Sequence, residues 1–397
     1  MKVLFLTRWY PPFAGIFIER HAQAVALYNE LVVLAVLPRE TCSGLKPVAE
    51  ACPDQQPFPV IRYFYRPSHC RIAAIAGVIN NLRFIINAFA GYLYVSKHYG
   101  PPDLIHVHIL TRAALPAYLL NLFTGKPYII SEHWNRYLPE NWGFTNIVRR
   151  TITRLVVCRA SAVTTVSDFL KRTMENCRLR NEMFRIIPNS IDTTLFTLAE
   201  NRADKEKIRI LHVSNFNERA KNIHGILRVI GVLAKQRNDF EILFIGGEEP
   251  SLGAARKFAS GLGLESPRVV FKGPIPAEEL ADVYRESSFL LMFSNFESFS
   301  IVIPEALACG IPVLATAVGG IPEYFSPNVG RLISPGNESE LLNSLSFMLN
   351  HYKSFDQECS GSFIENRFGM KIVGGQFDDL YRSVLKRKGI PEKTLFL

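Results

Sequence analysis

The apolar residues of this chain fall into two alternating patterns. Short apolar runs stand at Val3 to Thr7, Leu31 to Leu37, Val60 to Phe64, Leu104 to Val107, Tyr128 to Ser131 and Ala162 to Val166. Most are separated by segments of helix length, and the first is followed by the loop Pro11-Pro12-Phe13-Ala14-Gly15 and the helical spacing of Phe17 to Leu31. Strands that alternate with helices predict right-handed crossovers and a parallel sheet. The pattern then breaks at Ile186-Ile187-Pro188-Asn189-Ser190-Ile191-Asp192 and at a polar stretch from Ala199 to Lys207, which together predict an interdomain connection. It resumes with Ile208 to Val213, Glu241 to Ile245, Arg268 to Phe271, Phe289 to Phe293 and Pro312 to Ala315. A closing helix is predicted over Met370 to Lys388, with Val373, Phe377, Leu380, Tyr381 and Val384 on one face. No short-period repeat is visible, so the two halves share an architecture and are not parts of a solenoid.

A length of 397 residues agrees with two domains. Their expected bounds are 1–188, with a helix of about 375–397 packing back on it, and 189–374. With 48% hydrophobic and 20% charged residues the composition is globular. The net charge of +9 is concentrated between Arg149 and Arg185. Either a solvated helical face or attraction to an anionic membrane or a phosphate-bearing acceptor accounts for that excess, and no basic-aromatic platform for nucleic acid accompanies it. Seven scattered Cys, with no CxxC pair, argue against zinc and against a disulfide framework. Arg8 interrupts the apolar start too early for a secretory core, so a cytosolic protein is expected. Ile72 to Val95 is the most apolar long run, but Asn80, Asn81, Arg83 and Asn87 interrupt it at helical spacing, and it reads as an amphipathic or half-buried helix.

Candidate chemistry gathers between Asn295 and Glu305, where Glu297 and Glu305 flank a predicted helix start. Pro304 fits the first turn, with Ser298 or Ser300 as the expected cap. The free N–H groups of Ser300, Ile301 and Val302 would then lie at the carboxyl end of a strand, where anionic ligands collect. Two carboxylates beside a diphosphate need counter-cations, and Lys221, with Arg219, follows a strand at the place where a loop would face the same ligand. In the first half, His108 and His133, beside Glu132, each follow a strand, and Gly15 lies in the first loop. That loop lacks G-x-G-x-x-G, which argues against a dinucleotide cofactor.

The run from Glu297 through Pro304-Glu305-Ala-Leu-Ala-Cys-Gly-Ile-Pro312, continuing to Val318-Gly-Gly-Ile-Pro-Glu323, resembles the E-x7-E block of the retaining GT-B glycosyltransferases of family 4, the glycosyl transferases group 1 domain. Pro188 to Asp192 is similar to that family's Pro-Asn-Gly-Val-Asp linker, and Val270 to Gly273 to its Val-x-Phe-x-Gly turn. The resemblance implies two Rossmann-like doubly wound domains facing a central cleft, with the acceptor on the first and the donor on the second. It implies transfer from a UDP- or GDP-sugar to a glycan or lipid-linked acceptor with retention and without a metal, the nucleotide-sugar being a substrate and no cofactor being needed. Cell-surface polysaccharide assembly, with peripheral contact to an anionic membrane, is the expected setting. By the same resemblance Glu297 contacts the donor sugar and His133 joins it as a catalytic residue. Glu305 holds the ribose, Lys221 and the stretch Ser298-Phe299-Ser300-Ile301-Val302 receive the diphosphate, and Phe271 and Gly273 back the base, while His108 and Glu132 lie on the acceptor side. Asn215 stands where the family carries an Arg. A nucleotide-sugar epimerase or phosphorylase of the same fold, and a non-catalytic basic module, are the competing readings.

Overall fold

The apolar run at the start of the chain forms strand β1, Lys2–Thr7, buried from Val3 onward. A strand with no polar face must be covered on both sides, and β1 lies inside a sheet of eight. Its companions are β2 (Glu30–Pro38), β3 (Val48–Cys52), β4 (Val60–Tyr65), β5 (Leu104–His108), β6 (Tyr128–Glu132), β7 (Ala162–Thr165) and β8 (Phe184–Ile186), in the order β3-β4-β2-β1-β5-β6-β7-β8. Leu4 of β1 stands opposite Val32 and Ile105, and all pairs run parallel except β3 with β4. The sequence does not announce β8, a three-residue edge strand with Arg185 and Ile186 exposed, because it has no apolar run. The computed structural model describes all residues except 12–14, 42–47, 53–56, 139–145, 199–206, 356, 388 and 390–397. Part of the first loop, most of the expected polar linker and the expected end of the closing helix therefore lie outside the described residues.

Strand order fixes where the helices go. From β4 to β5, β6 and β7 the chain steps in one direction across the sheet, so right-handed crossovers place helices Ala73–His98, Leu110–Thr124 and Ile147–Arg159 on one face. The backward step from β1 to β2 sends Ile16–Ala26 to the other face, where it packs against the closing helix Met370–Arg387. That helix begins at Met370, where the apolar spacing predicts it, and buries Val373, Phe377, Leu380, Tyr381 and Val384 in the core of the first sheet, beside Phe5, Ile18 and Val25.

The chain forms two units, Met1–Ser190 with Met370–Leu397, and Ile191–Gly369. In the second, six parallel strands, β9 (Ile208–Ser214), β10 (Phe240–Gly246), β11 (Val269–Lys272), β12 (Phe289–Met292), β13 (Val313–Thr316) and β14 (Gly330–Ile333), take the order β11-β10-β9-β12-β13-β14. Ile210, Phe244, Phe289, Leu291 and Leu314 are among the residues of its core. The order reverses between β9 and β12, and in open α/β sheets the carboxyl ends at such a reversal frame the ligand crevice.

Candidate active site

The loops that leave β9 and β12 meet at this reversal. Asn295 fastens them, its backbone N–H donating to the Ala220 carbonyl at 2.8 Å and its Nδ2 to the Arg219 carbonyl at 2.9 Å. The fastening brings Lys221, at the end of the one-turn helix Glu218–Lys221, onto the Glu297 carboxylate, which also accepts from Ser294 Oγ at 2.9 Å. Glu297 is only 8% exposed. Burying a carboxylate is costly without a counter-charge and a hydrogen-bond donor, and Lys221 and Ser294 supply them. Lys221, expected as the counter-cation that two carboxylates beside a diphosphate require, pairs with one of those carboxylates, 76 positions away.

The stretch after Glu297 is held from outside. The Tyr324 hydroxyl donates to the Phe299 carbonyl at 2.6 Å, and its ring packs on Phe299 and Phe368. Burial, with the Glu297 charge adding to it, holds that hydroxyl's pKa well above its ordinary value, so Tyr324 remains a donor. Ser300 adopts a left-handed φ of 67°. The helix starts at Val302 after Ile301, and no side chain caps it, so the expected serine cap is corrected: the turn at Ser300 and the bonds from Tyr324 shape this entry instead. Pro304 and Glu305 do lie in the first turn, and Glu305, 3% exposed, accepts from the Tyr284 hydroxyl at 3.0 Å. Ser298, Ile301 and Val302 are half-buried. Asn215 and Arg219 are exposed on the β9 loop, where the Asn215 side chain accepts from the Asn217 amide at 3.2 Å. Phe271 and Gly273 lie two strands away at the end of β11. There the Phe271 ring stacks on Phe244 at 4.9 Å, and the Phe271 carbonyl accepts from Arg256.

In the first unit the expected residues gather in a buried histidine stack. His133, which follows β6, places Nδ1 3.0 Å from Asn189 Oδ1 and Nε2 3.3 Å from Nδ1 of His108, the last residue of β5. His21 Nε2 lies 3.0 Å from the Pro188 carbonyl, and His106 bridges Tyr381 and Ser131 at 2.7 Å on each side. Pro188 and Asn189, read from sequence as linker, are therefore tied into this stack. Gly15 opens the helix Ile16–Ala26 with φ 87°, its backbone close against Trp9. Glu132, expected on the acceptor side, is held within its own unit. It is 1% exposed, with Oε1 accepting from the His133 and Trp134 amides and Oε2 from the Leu110 amide and the Tyr137 hydroxyl, so it fastens the loops after β5 and β6. Ring nitrogens of His21, His108 and His133 lie within 4.8 Å of one another. Zinc bonds of ~2.0–2.1 Å at tetrahedral angles would bring such ligands to ~3.3 Å, so the stack would have to contract to hold an ion.

Burial lowers the pKa of all four histidines, His21 to about 4 and His106, His108 and His133 well below the ordinary value. A depressed imidazole leaves stability intact above the unfolded value of 6.5, and that stability is lost as pH falls through the window from there to about 4, because the unfolded chain takes up protons that the folded chain refuses. For His21 alone the loss over that window is about 3 kcal/mol. Urea unfolding followed between pH 7 and pH 4.5 should show a steep fall in midpoint, and a flat profile would contradict a neutral buried stack.

Tyr324 and Ser294 carry no signal in the sequence, and Gly319 is marked only as part of the Val318 to Glu323 run. All three act through contacts with Phe299 and Glu297 that depend on sheet order. Asn189 sits within a recognisable Pro-Asn motif, which marks it without giving its partner.

Residues 196–360 match the glycosyl transferases group 1 family and residues 36–195 match glycosyltransferase family 4. The N-acetyl-alpha-D-glucosaminyl L-malate synthase of Bacillus anthracis is 25% identical over 300 residues, covering 72% of this chain and 75% of that protein. Among solved structures, sucrose-phosphate synthase from Thermosynechococcus elongatus superposes with a TM-score of 0.79 at 18% identity, over 97% of this chain and 99% of the other. The Anabaena protein HepE in complex with UDP-glucose gives 0.73 at 19% identity, over 96% and 100%. Two doubly wound sheets, the GT-B class that the sequence implied, agree with these likenesses. With its two halves matched in turn, the chain belongs to the family 4 glycosyltransferases and carries a glycosyl transferases group 1 domain.

Proposed function

We propose that this glycosyltransferase moves a sugar from a UDP- or GDP-sugar to a glycan or lipid-linked acceptor, with retention at the anomeric carbon and without a metal, in cell-surface polysaccharide assembly on the cytoplasmic side. The observation that carries this reading is the meeting of Lys221 with Glu297 at the strand reversal of the second unit, with Glu305 on the helix that follows. Transfer breaks the bond from the anomeric carbon to the diphosphate oxygen and forms a bond to an acceptor oxygen on the same face, the acceptor hydroxyl's proton passing to the departing diphosphate. Charge then develops on the leaving diphosphate, where Lys221 and the amides of Ser300 to Val302 would stabilise it. Glu297, held between Lys221 and Ser294, is placed to accept from sugar hydroxyls, and Glu305 from ribose hydroxyls. The UDP-glucose bound by HepE supports a nucleotide-sugar donor here. In the first unit, His133 is kept neutral by burial, which suits a hydrogen-bonding role better than a cationic one.

A thermal-shift screen of nucleotide-sugars tests the donor. A donor at 100 times its dissociation constant should add about 2.7 kcal/mol. Product NMR should then show a retained anomer, in chelator as well as without it. Absence of a shift with any nucleotide-sugar, an inverted product, a strict metal requirement, or release of a free epimer or sugar phosphate would each overturn a named part of the proposal.

A further inference from the structure

The helix Ala73–His98 is apolar on both sides, and only one side is covered. Phe84, Ala88, Tyr92 and Val95 are buried, and the helix packs on β2 and β4. Ile75, Val78, Leu82, Ile86 and Leu93 form a second stripe at helical spacing, each between 45% and 65% exposed. An ordinary surface helix is polar on its outward side. The two helices that follow on the same face of the sheet continue the anomaly. Phe123, at the end of Leu110–Thr124, is 77% exposed and meets the ring of Phe89, while Ile147, Val148, Ile152 and Leu155 are exposed on Ile147–Arg159. The three helices are neighbours in series, and more than half of the exposed large apolar side chains among the described residues lie on them. Clustering of this kind marks an interaction surface.

Charge selects the partner. The three helices contain no Asp or Glu, but they carry Arg83, Lys97, Arg112, Arg149, Arg150, Arg154 and Arg159. A surface that joins outward apolar side chains to cations alone matches an anionic lipid headgroup layer over acyl chains. We infer that this three-helix face of the first unit docks on an anionic bilayer, with the Ile75 to Leu93 stripe and Ile147-Val148 entering the headgroup boundary and Arg149 and Arg150 among the cations held near lipid phosphates. The Ala73–His98 helix lies along the membrane and does not cross it, since its other side is part of the folded core. A second copy of the chain would have to bring acidic residues to this face, and the face itself has none to offer in return.

The test is sedimentation of the full chain with vesicles of phosphatidylglycerol or of phosphatidylcholine. Binding to phosphatidylglycerol and not to phosphatidylcholine, weakened by added salt, is expected. At ~1 kcal/mol for each charge near the surface, Arg149→Ala with Arg150→Ala should lower the partition coefficient by about 30-fold. Leu82→Glu with Ile86→Glu should abolish binding, while far-UV circular dichroism and nucleotide-sugar thermal shifts stay as in the parent and show that both units are folded. Equal binding to both lipids, or variants that sediment like the parent, would overturn the inference. So would a dimer in light scattering that the Leu82→Glu, Ile86→Glu variant splits, because the face would then belong to a second copy.

Discussion

Glu297→Ala is expected to lower sugar transfer by about 10²–10³-fold while leaving the affinity for the free nucleoside diphosphate within a few-fold of the parent. The split follows from the pairing. The carboxylate is shared between Lys221 and Ser294 and is 8% exposed, so its removal deletes the acceptor for sugar hydroxyls and releases the Lys221 ammonium. A released cation holds a diphosphate at least as well as a paired one, and nucleotide binding should persist. The reverse substitution separates the roles. Lys221→Met removes the cation and leaves Glu297 buried without its partner beside an anionic ligand, so nucleotide affinity should itself fall by about 10–100-fold, the value of one charged hydrogen bond. Calorimetric titration with the nucleoside diphosphate, beside steady-state transfer rates, checks both. Transfer by Glu297→Ala within a few-fold of the parent would remove Glu297 from the reaction.

Gly319→Ala should reduce transfer by about 100-fold through position alone, since a displacement of ~1 Å in a catalytic group costs that much. Gly319 has φ 59°, and a Cβ built on it would lie 1.7 Å from the Glu297 carbonyl oxygen. No rotamer relieves such an overlap, because both atoms are fixed to backbone, so the segment carrying Glu297 has to move. Strain alone is separable by a control. Gly336 also has a left-handed φ, 72°, but a Cβ there meets nothing within 4 Å. Gly336→Ala should therefore bear the conformational cost of about 1–2 kcal/mol and keep full transfer. If the two variants lose the same stability and neither loses turnover, the contact between Gly319 and Glu297 does not set the geometry of the site.

The same division between local and distant effects runs through the molecule. Each central apolar run was legible as a strand because periodicity is a property of neighbours within a few residues. The edge strand β8 was not, because a half-exposed strand of three residues has no period to read. The helix at Val302 was legible from Pro304 and the spacing of its carboxylates, but its entry was not, since Tyr324 shapes it from 25 residues away. Glu132 is legible only as a carboxylate after a strand, and the four donors of its own unit that use both its oxygens are not.

The sequence by itself determined two parallel α/β units, a change of unit close to Asn189, and a pair of carboxylates set across a loop and a helix start. All of these rest on spacings short enough for backbone geometry to transmit. Only the tertiary structure decided that Lys221 sits on Glu297, that Gly319 backs Glu297, that the Pro188-Asn189 segment binds His21 and His133, and which side of the Ala73–His98 helix has no cover. The physical reason is the order of strands in each sheet. Apolar periodicity tells each strand to be buried without naming its neighbour, and it is the neighbour that determines which loops meet.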